Sequence, residues 1–263
     1  MADNKKVLVT GGAGLIGRTL AERLGDRYDF TSLDRAEASG MRSFTGDISN
    51  LEVIRPAFDG QHTVVHLAAD PNAQGNWESN LSNNFIGTYN VFEAAREAGV
   101  KRVIFASSNH ATGGYYLDPP WKHICDGEFS KIKQPYPLVD ETYQIRPDGY
   151  YGVSKAYGEA LGSYYKDYHG ISSVHLRIGW VLSNDDPTFS PFALSLWLSH
   201  RDVTQIVRLC IDAPESLDYG IYYATSDNKW KIFSIEAAKK DLGYAPEDAA
   251  GEEFTPGPPP GRR

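Results

Sequence analysis

Apolar runs and amphipathic stretches alternate through the first two thirds of the chain. Val7, Leu8 and Val9 follow the polar pair Lys5 and Lys6, and this short run, β-branched at two of three positions, predicts a strand buried on both faces of a parallel sheet. Leu15, Ile16, Leu20 and Leu24 then recur at helical spacing. Residues 28–33 predict a second strand ended by Asp34, and residues 41–44 a short third strand. A helix is expected from near Ser49, and residues 63–69 predict a fourth strand. Residues 84–96 form a strong amphipathic pattern closed by Gly99. Residues 102–106 predict a fifth strand, residue 150 onward a long helix, and residues 171–178 a sixth strand. This alternation predicts an α/β architecture with a doubly wound parallel sheet.

The periodicity fails in two places. Residues 111–148 show none, and a stretch this long inside a domain is either a cover over a site or a surface insertion. Beyond residue 180 the pattern is irregular. Residues 195–200 and 203–209 read as helical, 220–224 as a strand, and 234–243 as a helix with a glycine stop. The expected division is therefore a nucleotide-binding domain at 1–179, a small substrate-binding appendage at 180–247, and a Pro- and Gly-rich flexible tail at 248–263.

Chemistry first enters at the turn after the first strand. Gly11, Gly14 and Gly17 stand at three-residue spacing where the strand gives way to the helix. Such glycines serve a tight turn, close approach to a pyrophosphate, and packing of helix on strand, while the helix N-terminus presents N–H groups to the phosphates. Asp34 lies about 20 residues further on, where a carboxylate accepts from an adenosine ribose. The pair predicts a Rossmann-like dinucleotide site. Asp34 would repel a 2′-phosphate, which favours NAD over NADP; Arg35 beside it is the residue that could bind one. Asp47 either caps the next helix or takes the adenine amino group, with Ile48 against the ring. Ala68 and Ala69 end the fourth strand with side chains small enough for a flat ligand, and Asn84 is either a plain cap or a cofactor contact.

The totals narrow the class. A chain of 263 residues suits one large α/β domain or a main domain with a small addition. Net charge is -8 with no Lys/Arg run, which argues against nucleic acid as a partner. No apolar run reaches membrane-span length, and the polar start leads straight into the first strand without room for a signal peptide. The two cysteines, Cys125 and Cys210, read as reduced thiols of a cytoplasmic protein, and the seven histidines show no metal-ligand spacing.

Residues 107–110, Ser-Ser-Asn-His, end the fifth strand at the sheet edge where ligands bind in open α/β folds; a turn alone is the other reading. Tyr151 and Lys155 share one helix face at i and i+4. A free tyrosine titrates near about 10, and an ammonium one turn away favours its phenolate. A tyrosine tuned in this way takes the proton from a substrate alcohol as hydride leaves carbon. Ser108 can hold the substrate oxygen beside it.

Residues 10–17, Asp34, Asp47 with Ile48, residues 66–69, Ser107 with Ser108, and residues 151–155 together resemble the extended short-chain dehydrogenase/reductase family, also called NAD-dependent epimerase/dehydratases, over residues 5–244. Within it, residues 105–110, 146–155 and 195–200 resemble uronate dehydrogenases, which oxidise the anomeric carbon of a hexuronic acid to a lactone with NAD. The resemblance implies Ser108, Tyr151 and Lys155 as catalytic and Asn109 and His110 as substrate contacts. It implies a cofactor site at Gly11, Gly14, Leu15, Ile16, Gly17, Asp34, Arg35, Asp47, Ile48, Leu67, Ala68, Ala69, Asn84, Tyr151, Lys155 and Ile178.

The chain departs from the uronate pattern where the acid is gripped. Phe192 stands in place of an arginine that holds the sugar carboxylate, Trp180 in place of a serine, and Pro71 in place of another serine. The expectation is therefore a sugar dehydrogenase whose substrate is not bound to be a uronate, with Trp180 and Phe192 as apolar walls and a homo-oligomer as a possible assembly. The rivals are a nucleotide-sugar 4-epimerase of the same family, which the small carboxyl-terminal part disfavours, and a non-catalytic NAD sensor, which the intact Ser108, Tyr151 and Lys155 disfavour.

Overall fold

Val7 and Val9 face one side of a central sheet and Leu8 the other, all three with no exposure. They form the middle of β1 (Lys6–Thr10) in the computed structural model, which describes residues 5–73 and 75–261. A strand covered on both faces has no polar side to present, which is why its sequence runs apolar without alternating. β1 pairs in parallel with β2 (Asp29–Asp34) and with β4 (Thr63–His66). β3 (Arg42–Thr45) lies outside β2, and β5 (Arg102–Ser108), β6 (Ser172–Ile178) and β7 (Tyr219–Ala224) extend the sheet beyond β4. The order is 3-2-1-4-5-6-7 and every pairing is parallel.

Helices make the crossovers between the parallel strands, except that residues 35–41 join β2 to β3 without one. Leu20 and Leu24 of α1 (Leu15–Leu24) cover the Val7 face of the sheet. The opposite, Leu8 face takes Ile54 of α2 (Leu51–Ile54). The single turn α3 (Trp77–Ser79) passes through a wider, π-type turn into α4 (Gly87–Glu97), which adds Val91, Phe92, Ala94 and Ala95 to the Leu8 face. Gly99 follows with φ of 72°, the left-handed stop predicted for it. Asn50, rather than Asp47, caps α2 by accepting from the N–H of Val53; Asp47 instead accepts from Ser49 N at 2.9 Å.

Residues 111–148 are more ordered than their lack of periodicity suggested. Two 3-10 segments separated by a kink at Thr112 span Asn109–Leu117, and α5 (Trp121–Cys125) and a further 3-10 turn follow. Trp121, Ile124, Ile132 and Val139 are buried together with Leu196, Tyr223, Trp230 and Phe233, a separate small core beyond the carboxyl ends of the strands. Long-range aromatic packing carries this core, so no local repeat announces it.

α6 (Tyr150–His169) crosses back beneath β5. The region after it returns to the main sheet: β7 pairs with β6, and Val203, Ile206, Val207 and Ile211 of α8 (His200–Asp212) share one core with Leu20 and Leu24 of α1. The helix predicted at 195–200 is displaced upstream to α7 (Pro191–Leu196), capped by Ser190. Trp197 leaves it with ψ of 133° to bridge Trp180, and Ser199 caps α8 by accepting from Asp202 N. α9 (Glu236–Leu242) ends at Gly243 with φ of 71°. The final stretch is exposed but tied down, with Thr255 N donating to Thr188 O at 2.8 Å, Gly257 N to Phe189 O at 3.1 Å and Ser183 Oγ to Gly261 O at 2.8 Å. Among the described residues no helix is long and apolar enough to cross a membrane.

Candidate active site

A cleft of about 950 Å³ opens along the carboxyl ends of β1, β2, β4, β5 and β6. Its floor at one end is the turn after β1. Gly11 adopts φ of 75°, and a side chain there would meet Ala68 N at 2.8 Å. A methyl on Gly17 would stand 2.4 Å from the carbonyl oxygen of Gly12, so glycine alone lets α1 lie this close to the turn. Gly14 precedes α1 in extended conformation, leaving the first N–H groups of the helix facing the cleft. Across from it, the Asp34 carboxylate accepts from Ala13 N at 3.0 Å and Arg35 N at 2.6 Å, which sets its oxygens beside the glycine turn. A glycine cradle, open helix N–H groups and a carboxylate at the end of β2 fit a dinucleotide.

At the other end stand the strand-end polar groups. Ser108 closes β5, and its Oγ accepts from His110 N at 3.2 Å while donating towards Asn109 Oδ1 at 3.3 Å. Asn109 is buried and donates to the Tyr116 hydroxyl. Tyr151, in the first turn of α6, lines the same cleft, its ring edge-on to His110 at 5.5 Å between centroids. A side chain on Gly152 would lie 2.2 Å from His110 O, so the glycine after Tyr151 lets the helix press against the β5 end.

Lys155 stands one turn along α6, buried, with Nζ donating to Ala106 O at 2.7 Å and lying 5.3 Å from the centre of the Tyr151 ring. Burial pushes its ammonium down from 10.5 to about 7. It backs Tyr151 from behind and is not part of the cleft wall. Nearby His66 is buried neutral, pushed down to about 3 by burial, and is held by the hydroxyls of Thr10 and Thr88. It is a core histidine.

Of the residues singled out from sequence, Gly11, Gly14, Leu15, Ile16, Gly17, Asp34, Arg35, Asp47, Ile48, Leu67, Ala68, Ala69, Ser108, Asn109, His110, Tyr151, Ile178, Trp180 and Phe192 all line this one cleft. Asn84 does not. Its Oδ1 accepts from Asp70 N at 2.7 Å and its Nδ2 donates to Asp70 O, Asn80 Oδ1 and Ser154 Oγ, so its amide braces the segment after β4 against α6. Sequence reasoning missed Arg18, Asn72, Asn83, residues 181–183 and, most distant in the chain, Pro260 and Gly261. Arg18 had a signal, as a cation one turn past Gly14. The others reach the cleft through tertiary packing alone. Among the described residues no group of three His, Cys, Asp or Glu side chains is placed to hold a metal ion.

A parallel sheet in this order, with a dinucleotide cradle at one end of its carboxyl edge, Ser108 and Tyr151 on the cleft wall at the other and Lys155 against the Tyr151 ring, defines an NAD-dependent oxidoreductase of the short-chain dehydrogenase/reductase type. The chain belongs to the NAD dependent epimerase/dehydratase family, whose model matches residues 7–200. It is 38% identical over 97% of its length to NAD-dependent glucose-6-phosphate dehydrogenase of Haloferax volcanii, covering 98% of that protein. It is 36% identical to L-arabinose 1-dehydrogenase (NAD(P)(+)) of the same organism, over 92% of this chain and 96% of the other. In structure it is similar to a uronate dehydrogenase mutant from Agrobacterium tumefaciens complexed with NAD, with TM-score 0.79 and 29% identity over 94% of this chain and 86% of that one.

Proposed function

We propose that the enzyme oxidises a hydroxyl of a free sugar, taking the anomeric carbon to a lactone, with Tyr151 as general base. The observation that carries this reading is that Ser108 and Tyr151 line one cleft with the glycine turn and Asp34. Gly11, Gly14 and Gly17 would seat the pyrophosphate of NAD, Asp34 the adenosine ribose, and Ile48 the adenine. When bound, the nicotinamide supplies the acceptor for the hydride leaving the anomeric C–H. The chain supplies the rest. The phenolate oxygen of Tyr151 takes the hydroxyl proton, Ser108 Oγ donates to the same substrate oxygen, and the Lys155 ammonium favours the phenolate from behind the ring. Loss of that proton and hydride converts the C1 hydroxyl of the cyclic sugar to the lactone carbonyl.

The substrate end favours a sugar without a carboxylate. Trp180 and Phe192 lie there with ring centroids 6.1 Å apart, and the Arg and Lys side chains lining the cleft, among the described residues, are Arg18 and Arg35 at the cofactor end. Relatives named for glucose-6-phosphate and arabinose show that this set of proteins is not confined to uronates.

The test is absorbance of reduced cofactor on incubating the enzyme and NAD with an aldopentose, an aldohexose, its 6-phosphate, a hexuronate and a UDP-hexose. Reduction with a free sugar supports the proposal. Isomerised UDP-hexose without net reduction replaces it with a 4-epimerase. Bound NAD with no turnover of any sugar leaves a sensor.

A further inference from the structure

Asp148 lies three residues before Tyr151, outside the wall of the cleft, and its two carboxylate oxygens stand 3.0 and 2.8 Å from His110 Nδ1. The contact is built into the chain from both sides. A methyl on Gly113 would meet the Asp148 carboxylate at 2.2 Å, so glycine there makes the space the carboxylate fills. Arg146 N donates to Ala111 O at 3.1 Å and Gly114 N to Arg146 O at 2.7 Å, pinning the strip that carries Asp148 against the 3-10 helix that carries His110. His110 is thus held through its ring Nδ1 by Asp148, with its ring against that of Tyr151, and through its backbone N–H, which donates to Ser108 Oγ.

A carboxylate at Nδ1 determines where the proton of a neutral imidazole resides: Nδ1 donates to it and Nε2 keeps its lone pair. Such outer partners orient ring ligands in many sites. We infer that Asp148 is a positioning residue that holds His110 as the Nδ1–H tautomer, so that Nε2 accepts a hydrogen bond from a hydroxyl of the sugar. This rests on the sugar-dehydrogenase reading above. It makes His110 a selector for a hydroxyl donor, and it separates the task of Asp148 from proton transfer at Tyr151. Asp148→Ala therefore weakens sugar binding and leaves the chemical step largely alone.

The experiment combines nitrogen-15 NMR of the histidine side chains, on the full chain with NAD, with steady-state kinetics. In the wild type the His110 resonances, assigned with His110→Gln, are expected to report Nδ1–H; in Asp148→Ala they shift towards Nε2–H. Asp148→Ala is expected to raise KM for the sugar about tenfold, with kcat changed less than about threefold and KM for NAD unchanged. Asp148→Asn, whose amide oxygen can accept the same bond, recovers most of the loss. In a His110→Ala background Asp148→Ala adds nothing further. A wild-type Nε2–H tautomer, or a KM effect undiminished in the His110→Ala background, overturns the inference. If Asp148→Ala does not fold, the wild-type tautomer and Asp148→Asn still decide it. Failure of the wild type to turn over any sugar defeats the functional reading instead, and the tautomer spectrum judges Asp148 separately.

Discussion

The buried ammonium of Lys155 is anchored to the carbonyl of Ala106, two residues upstream of Ser108, by a 2.7 Å hydrogen bond. That bond ties the helix carrying Tyr151 to the strand carrying Ser108, and it places a cation where burial disfavours one. The folded-state pKa of about 7 lies below the ordinary 10.5. Between those values the folded protein holds fewer protons than the unfolded chain, so this group makes stability rise with pH across that window. Relative to Lys155→Met, the wild type should gain stability as pH is raised from about 7 to about 10. Urea unfolding of both proteins at the two ends of the range measures it; a constant difference would remove Lys155 as its source. The same variant should lose most of its turnover.

Tyr151→Phe keeps the ring against His110 and deletes the oxygen that we propose takes the proton. Turnover should fall by about 10²- to 10⁴-fold, the usual contribution of a positioned base. NAD affinity, followed by fluorescence titration, should hardly change. Retained turnover would move the base elsewhere.

The Asp34 carboxylate is held by Ala13 N and Arg35 N, and we propose that it takes the adenosine ribose. Asp34→Ala should weaken NAD binding by about 10- to 100-fold, the value of a charged hydrogen bond. It should also bring NADP closer to NAD, because Arg35 remains and the repulsion is gone. Calorimetric titration with each cofactor decides it; equal loss for both would show that Asp34 only shapes the turn.

Glu159 and Arg177 form a fully buried two-pronged ion pair, 2.8 and 2.9 Å, joined by Ser107 Oγ and the Tyr223 hydroxyl. It links α6, β5, β6 and β7. Removing one partner strands the other charge, so Glu159→Ala should cost on the order of 3–5 kcal/mol of stability, against a smaller loss when both are replaced by apolar residues. Denaturant melts of the single and double variants supply the comparison.

The glycine turn and Asp34 were legible because β1, α1 and β2 are consecutive, and the spacing of one crossover unit sets the distance between them. Tyr151 and Lys155 were legible for the same reason on one helix. Asn84 was ambiguous because its partners, Asp70 and Ser154, arrive from 14 and 70 residues away. The order within residues 111–148 was hidden because Trp121 and Val139 are buried against Trp230 and Phe233, which a local window never sees.

What the sequence by itself determined is therefore whatever one strand, one turn and one helix can encode: the parallel α/β alternation, the dinucleotide cradle, and the phenol and amine one turn apart. Tertiary structure alone decided that β7 completes the main sheet, that Pro260 and Gly261 return to the cleft, and that Asp148 holds His110. The physical reason is range. Backbone propensity and helical spacing act over a few residues and leave a pattern in the order of the letters. Burial and hydrogen bonding between distant segments depend on where the folded chain brings them together.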